Sequence, residues 1–362
     1  MRTNSTPVIA LVALLALFVL PGCAGIAEPE TKSEPLSVTV MTFNVENLFD
    51  NEDDPGKDDK AYLPLAAKHS ESHIAACNEI EVDRWRDECL SLDWSDAALE
   101  FKLRALASTI RQIDSGSGPD IIALQEVENL GVLERLRTEH LASSGYLPAI
   151  LIEGADARGI DVAFLSRLPL LQPPTLHPLD LSGFPDRARD TRGVLQADFV
   201  LPDGSILTGF SVHFPAPFHP TEMRVAAYGH LTQLLQSLPD DHHAFAAGDF
   251  NTTSREDREM GMLDTWARPH WTVAHDLGCK ACKGTQYYAR DDSWSFLDMI
   301  LFRAARGANT TAQIRADSVR IANRNPAQVT PQRTPERFNW AGRKGVSDHW
   351  PMVTTIEFDQ KQ

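Results

Sequence analysis

Polar residues of one kind stand where apolar runs end. Asn44 and Glu46 close the run 38–43, and Gln125 and Glu126 close 121–124. His213 follows 207–212, and Asp249 and Asn251 follow 245–247. Asp298 precedes 299–302, and Asp348 and His349 precede 352–358. Carboxylates grouped with amides offer oxygen donors, which suit a hard cation such as Mg²⁺ or Mn²⁺ rather than a soft one. Histidines beside aspartates suit proton transfer or stabilisation of negative charge at phosphorus. Taken singly, each has an ordinary structural role: Asn44 a turn cap, Glu126 a strand end, Asp249-Phe250-Asn251 an Asx turn, Asp348 a helix cap. Six such ends in order point instead to one site, because polar groups at strand ends converge on a rim of a layered fold.

The elements that must position them are legible in outline. The β-branched and aromatic run 38–43 predicts a strand, as do 121–124, 160–165, 194–200, 206–212, 244–247, 299–302 and 352–358. Leu99, Leu103, Leu106, Ile110 and Ile113 recur at helical spacing and stop at Ser115-Gly116-Ser117-Gly118-Pro119. Further helices are expected over 130–141 and 221–238, the latter burying Val225, Leu231, Leu234, Leu235 and Leu238. The acidic stretch 51–70 reads as a loop. Strands with interspersed helices argue for an α/β or α+β layered fold without a second domain boundary.

Phe43-Asn44-Val45-Glu46-Asn47-Leu48, Asp120-Ile121-Ile122-Ala123-Leu124-Gln125-Glu126-Val127 and Gly248-Asp249-Phe250-Asn251 resemble successive signature motifs of the endonuclease/exonuclease/phosphatase superfamily. So do the stretch 293–298 and Val346-Ser347-Asp348-His349-Trp350-Pro351-Met352. That superfamily includes DNase I-like nucleases, abasic-site endonucleases, inositol polyphosphate 5-phosphatases and sphingomyelinases. The resemblance spans about residues 37–359. It implies an α+β fold, a four-layer α/β/β/α sandwich of two mixed sheets, and Mg²⁺- or Mn²⁺-dependent hydrolysis of phosphodiester bonds. It also implies roles. Glu126 resembles the principal metal ligand, with Asn44, Glu46 and Asp348 near the ion. Asp249 is similar to the residue that orients or deprotonates the attacking water, and Asn251 to the donor that holds a phosphoryl oxygen. Asp298 and His349 resemble an Asp–His pair, His213 a second active-site histidine, and Arg192 a phosphate clamp. Residues 51–100 stand as an insertion, a stapled lid if Cys77 and Cys89 are bridged. The substrate classes left open are a nucleic acid and a lipid or small phosphoester; a binding module without chemistry is the third reading.

The chain has 362 residues, 43% hydrophobic and 23% charged, with a net charge of −16. That charge argues against general polyanion binding. Its distribution is uneven: 46–60 holds seven acids and two lysines, whereas 303–344 holds nine basic residues and two acids. At the N-terminus, Arg2 precedes an apolar run over 8–20. As a helix that run rises about 20 Å, short of the roughly 30 Å of a bilayer core. It therefore reads as a signal peptide, residues 1–22. Leu20-Pro21-Gly22-Cys23 resembles the lipobox of bacterial lipoproteins, which implies a lipid on Cys23, a tether over 23–36 and a membrane-anchored place in the cell envelope. The alternative is an ordinary cleaved signal and a secreted protein. The other four cysteines, Cys77, Cys89, Cys279 and Cys282, form an even set, expected to be oxidised after export. Local pairing is one of three connectivities, and the Cys279-Lys280-Ala281-Cys282 spacing also admits a redox or zinc role.

Overall fold

Each apolar run that ends in a polar pair is a strand buried on both faces. In β1 (Leu36–Leu48), Val38 and Val40 face one core while Met41, Phe43 and Val45 face another. In β2 (Ile121–Val127), Ile121 and Ala123 split from Ile122 and Leu124 in the same way. Period-two alternation between two apolar faces is what a strand in the middle of a layered fold requires.

The structure, a computed structural model, describes residues 35–360 except 188, 190, 308 and 309. The expected signal peptide, Cys23 and most of the tether lie outside the described residues. From Pro35 onward the chain forms one compact unit. The remaining strands are β3 (Ile150–Leu151), β4 (Asp161–Ser166), β5 (Thr175–His177), β6 (Val194–Val200), β7 (Ile206–His213), β8 (His242–Asp249), β9 (Thr272–Val273), β10 (Gln286–Tyr288), β11 (Ser293–Ser295), β12 (Asp298–Arg303), β13 (Thr310–Ile314), β14 (Arg320–Ile321) and β15 (Met352–Gln360). One sheet runs β13-β15-β1-β2-β4-β3, with β14 on β15; the other runs β5-β6-β7-β8-β12-β9. Both are mixed: β1–β2 and β7–β8 are parallel, and their flanking pairs are antiparallel.

The helices are α1 (Glu71–Asn78), α2 (Asp83–Ser91), α3 (Asp96–Ile110), α4 (Leu130–Arg135), α5 (Thr221–Ser237), α6 (Ser254–Met260) and α7 (Ala274–Leu277). Leu99, Leu103, Leu106 and Ile110 of α3 pack with Leu133 of α4 on the outer face of the first sheet. Tyr228, Leu231 and Leu235 of α5 cover the outer face of the second. Between the sheets, Val40, Ala123 and Phe164 meet Phe199, Phe245 and Ile300. The result is the expected four-layer α/β/β/α sandwich.

Local departures have local causes. The helix expected over 130–141 widens after Arg135 into a π turn, Leu136–His140. The stretch 51–70 contains short 3₁₀ turns, Lys60–Tyr62 and Leu65–His69. Cys77 is bridged to Cys89, joining α1 to α2, and Cys279 to Cys282, so the local pairing is the one formed. Among the described residues no helix is long and apolar enough to cross a membrane.

Candidate active site

Strand register delivers the polar ends to one rim. In the second sheet His213 lies opposite Asp249, and Asp249 opposite Asp298, so three neighbouring strands end in three reactive side chains. In the first sheet Asn44 lies opposite Gln125, one residue before Glu126. Gly248 permits the close approach of β7 and β8 here, since a Cβ at this position would meet Val212 O at 1.9 Å. The chain turns sharply where these motifs leave their strands. Glu46, Asn47, Glu126 and Asn251 all adopt positive φ, 52°, 55°, 64° and 51°. Non-glycine residues in that region cost of order 1–3 kcal/mol each and cluster at functional sites.

Asn44 joins the two sheets. Its Nδ2 donates to Glu126 Oε1 at 3.3 Å and to Asp249 Oδ2 at 3.2 Å, while its Oδ1 accepts from the Glu46 N–H. Glu126 Oε2 accepts from the Asn47 N–H at 3.0 Å. Asp249 Oδ1 accepts from the Asn251 N–H at 2.8 Å, and His213 Nε2 lies 3.6 Å from Oδ2. His349 arrives from the loop before β15. Its Nδ1 pairs with Asp298 Oδ2 at 2.7 Å, and Ser347 Oγ accepts its N–H. Asp298 Oδ1 is buried with no hydrogen-bond partner.

The remaining expected site residues sit in less direct positions. The Asn251 side-chain amide donates to Phe214 O at 2.9 Å, leaving its second N–H for a ligand. Arg192 Nη1 is held by Asp156 Oδ2 at 3.1 Å, and its Nε is buried without a partner. Glu46 is engaged on three sides, by Arg337 Nε and by the N–H groups of Phe338 and Asp348. In this arrangement Glu46 holds the C-terminal loop in place rather than facing open space. Asp348 lies 3.5 Å from Arg337 Nη2 and keeps its side chain partly exposed.

The electrostatics push neighbouring groups apart. Burial opposes ionisation of Glu126, but Arg158, Arg192, His349 and the Asn44 amide outweigh it and hold the carboxyl below its usual range. Burial raises Asp249, as does Asp298, against the pull of His349. His213 is pushed well below the ordinary imidazole range by burial, then by Arg192 and His349. His349 is held well above it: burial opposes the charge, and contact with Asp298 overrides that. The two histidines are therefore pushed in opposite directions within one constellation, His349 towards its charged form and His213 towards its neutral one. Such divergence marks acid–base division of labour.

Sequence reasoning did not single out Arg158, Tyr62, Arg337 or Lys102. The Arg158 guanidinium bonds Asn47 Oδ1, beside Glu126. Tyr62, in the segment 51–100, stacks on Phe49 at 3.9 Å and is close enough to Arg158 for each to perturb the other. The segment 51–100 thus reaches the rim through Tyr62. Arg337 and Lys102 share the field of Glu46, Asp348 and Glu126. Elsewhere in the basic segment 303–344, Arg315 pairs with Asp317 and Glu357, and Lys344 with Glu336, so only part of its charge is open to a polyanion.

Could these residues hold a metal ion? The donor set is oxygen-rich: the ionised Glu126, the partly exposed Asp348, and the unsatisfied Asp298 Oδ1 nearby. These carboxylate oxygens fit a hard divalent cation, whereas the His349 ring, bonded to Asp298 and favoured in its charged form, is a hydrogen-bond donor rather than a ligand.

Residues 41–349 match the model of the Endonuclease/Exonuclease/phosphatase family. Among solved structures, the chain is similar to a humanized D. rerio TDP2 (TM-score 0.54, 14% identity, covering 88% of this chain and 98% of that one). It is similar to D. rerio TDP2 complexed with single-strand DNA product (TM-score 0.53, 16% identity, 88% and 98%). It also resembles an endonuclease/exonuclease/phosphatase from Beutenbergia cavernae (TM-score 0.53, 15% identity, 90% and 72%). No curated protein matches the chain.

Proposed function

For a chain that belongs to the endonuclease/exonuclease/phosphatase family, as this one does, and is therefore a metal-dependent hydrolase of ester bonds, we propose Mg²⁺- or Mn²⁺-dependent cleavage of phosphodiesters, with nucleic acid as the first substrate class. The observation that carries this reading is Asn44 bridging Glu126 of one sheet and Asp249 of the other at 3.3 and 3.2 Å, beside the 2.7 Å Asp298–His349 pair.

Glu126 would hold the ion, with Asp348 and Asn44 beside it, while Glu46 fixes the loop of Asp348 through the Asp348 N–H. Bound there, the ion would supply charge neutralisation and polarisation at phosphorus. Asp249, with its raised proton affinity, accepts a proton from water while Asn44 and the Asn251 N–H fix its orientation. His349, kept cationic by Asp298, donates from Nε2 to a phosphoryl oxygen as negative charge grows there. The second amide N–H of Asn251 and the unpartnered Nε of Arg192 are further donors for an anion. Arg158, Arg192 and Arg337 near Glu126 supply the local positive field that a chain of net charge −16 otherwise lacks. The single-strand DNA product bound by D. rerio TDP2 is consistent with a nucleic-acid substrate.

A second reading, a lipid phosphodiester, is favoured by one feature. Phe218, 78% exposed, stands on the loop that follows His213, where an apolar side chain suits insertion into an acyl layer. The lipobox resemblance at Cys23 supports an envelope-anchored enzyme, and the two disulfides support an oxidising compartment.

Purified protein with Mg²⁺ or Mn²⁺ should be offered plasmid DNA, RNA, sphingomyelin vesicles, phosphoinositides and bis-p-nitrophenyl phosphate in parallel. Cleavage of the nucleic acids with little turnover of the lipids supports the first reading. The reverse pattern replaces it with the second.

A further inference from the structure

The acidic stretch after β1 contains a carboxylate cluster that the phosphoesterase site does not use. Asp54, Asp59 and Glu128 present oxygens within 4.8 Å of one another. Asp59 is only 1% exposed and Glu128 is also buried. Asp59 Oδ2 accepts from the Asp54 N–H at 2.8 Å, whereas Oδ1 is shut off from solvent with no hydrogen-bond partner. Glu128 Oε2 accepts from the Asp50 N–H at 2.6 Å and from Asn129 Nδ2 at 3.2 Å. Neither lysine of this stretch pairs with the three carboxylates. Lys57 Nζ donates to Gly154 O at 3.4 Å and Asp156 O at 3.1 Å, and Lys60 Nζ lies 3.8 Å from the half-exposed Asp53.

A buried carboxylate oxygen without a donor, beside two like charges, is costly unless a cation or a proton completes it. The geometry favours a cation. Oxygens that share one Ca²⁺ at about 2.3–2.6 Å lie at most about 5 Å apart, and the observed limit of 4.8 Å meets that condition. Two of the ligands come from an irregular loop, which suits the flexible coordination of Ca²⁺ better than the strict octahedron of Mg²⁺.

We propose that Asp54, Asp59 and Glu128 form a second cation site, for Ca²⁺, distinct from the site at Glu126 and independent of which ester the enzyme cleaves. The ion would pin the stretch 50–60 to the end of β2. That stretch in turn braces the neighbouring loop: the Asp58 N–H donates to Ala157 O at 2.8 Å, and the Lys57 stem packs near Gly159. The braced loop carries Arg158 and the Asp156 that holds Arg192. A Ca²⁺ ion here would therefore order two of the arginines around Glu126.

The test uses the full chain carrying Glu126→Gln, so that binding at the hydrolytic site does not obscure the result. Chelator-stripped protein is titrated with CaCl₂ at pH 7.5 by calorimetry and thermal unfolding. One saturable Ca²⁺ is expected, with a Tm rise of about 5 °C at a hundredfold excess over Kd. Adding Asp59→Asn or, separately, Glu128→Gln should weaken binding at least tenfold and remove the Tm rise, while circular dichroism stays unchanged. Two near-isosteric variants keep the test informative if one of them misfolds. Absence of Ca²⁺ binding in folded Glu126→Gln protein would overturn the proposal in favour of protonated carboxylates. Undiminished binding in both added variants would equally overturn it.

Discussion

At the residue scale, neighbouring side chains shift one another's proton affinity. His349 is cationic because Asp298 lies 2.7 Å from its Nδ1. Removing either partner should remove the same function. His349→Ala and Asp298→Asn should each lower kcat by about 10²-fold or more, and the double variant should be little worse than either single one. Steady-state kinetics of the three proteins check this, and fully additive losses would show that the two residues act separately. His275 in α7 makes a prediction about stability. It stacks on Phe296 with ring centroids 4.3 Å apart, its Nδ1 is buried without a partner, and burial, opposed by Asp276, pushes its pKa from 6.5 down to about 4. The unfolded chain thus takes up this proton more readily than the folded one. The contribution is complete above about pH 6.5 and is lost as the pH falls towards 4. Urea unfolding at pH 7 and pH 5 should show about 2 kcal/mol less stability at the lower pH from this group. His275→Phe should reduce the difference by that amount; an unchanged pH dependence would mean that His275 charges freely in the fold.

At the element scale, the site is legible wherever an apolar run passes directly into a polar pair. Asn44, Glu126, His213, Asp249, Asp298 and His349 all sit within three residues of a strand that sequence periodicity reveals, so convergence follows once the strands form layers. Arg158, Tyr62 and Arg337 lie in loops or a single 3₁₀ turn, where no period exists to place them, and each meets Glu126 or Glu46 only through tertiary folding. The short strands β3, β9 and β14 escaped for a related reason: two residues cannot show an alternation. Glu46 shows the limit of motif reading. Its place in the motif suggests a metal neighbour, whereas its oxygens are occupied by Arg337, Phe338 and Asp348. Strand pairing also makes a prediction. Gly248→Ala puts a methyl group 1.9 Å from Val212 O, which is backbone and cannot swing aside. It should destabilise the protein by about 3 kcal/mol and, by parting His213 from Asp249, reduce kcat at least tenfold. Denaturant unfolding with kinetics on the remaining folded protein would check both effects, and wild-type behaviour would mean that the two strands need not approach so closely.

At the scale of the whole molecule, two mixed sheets pressed face to face bring side chains from distant parts of the chain to one rim, with Asn44 as the bond between them. The covalent bridges belong to this scale too. Cys77–Cys89 ties α1 to α2 across a separation of 12 residues. Replacing both cysteines with alanine should cost about 2–4 kcal/mol. That loss should be seen as faster proteolysis between residues 71 and 91, with kcat on a small substrate little changed. Equal protease resistance would remove the insertion from any stabilising role. The central claim is that hydrolysis depends on a divalent cation held at Glu126, and bis-p-nitrophenyl phosphate turnover tests it most directly. Wild-type turnover should stop in EDTA and return with Mg²⁺ or Mn²⁺, and Glu126→Gln, folded by circular dichroism, should fall by about 10³-fold under the same conditions. Turnover that persists in EDTA, or Glu126→Gln working at the wild-type rate, would contradict it.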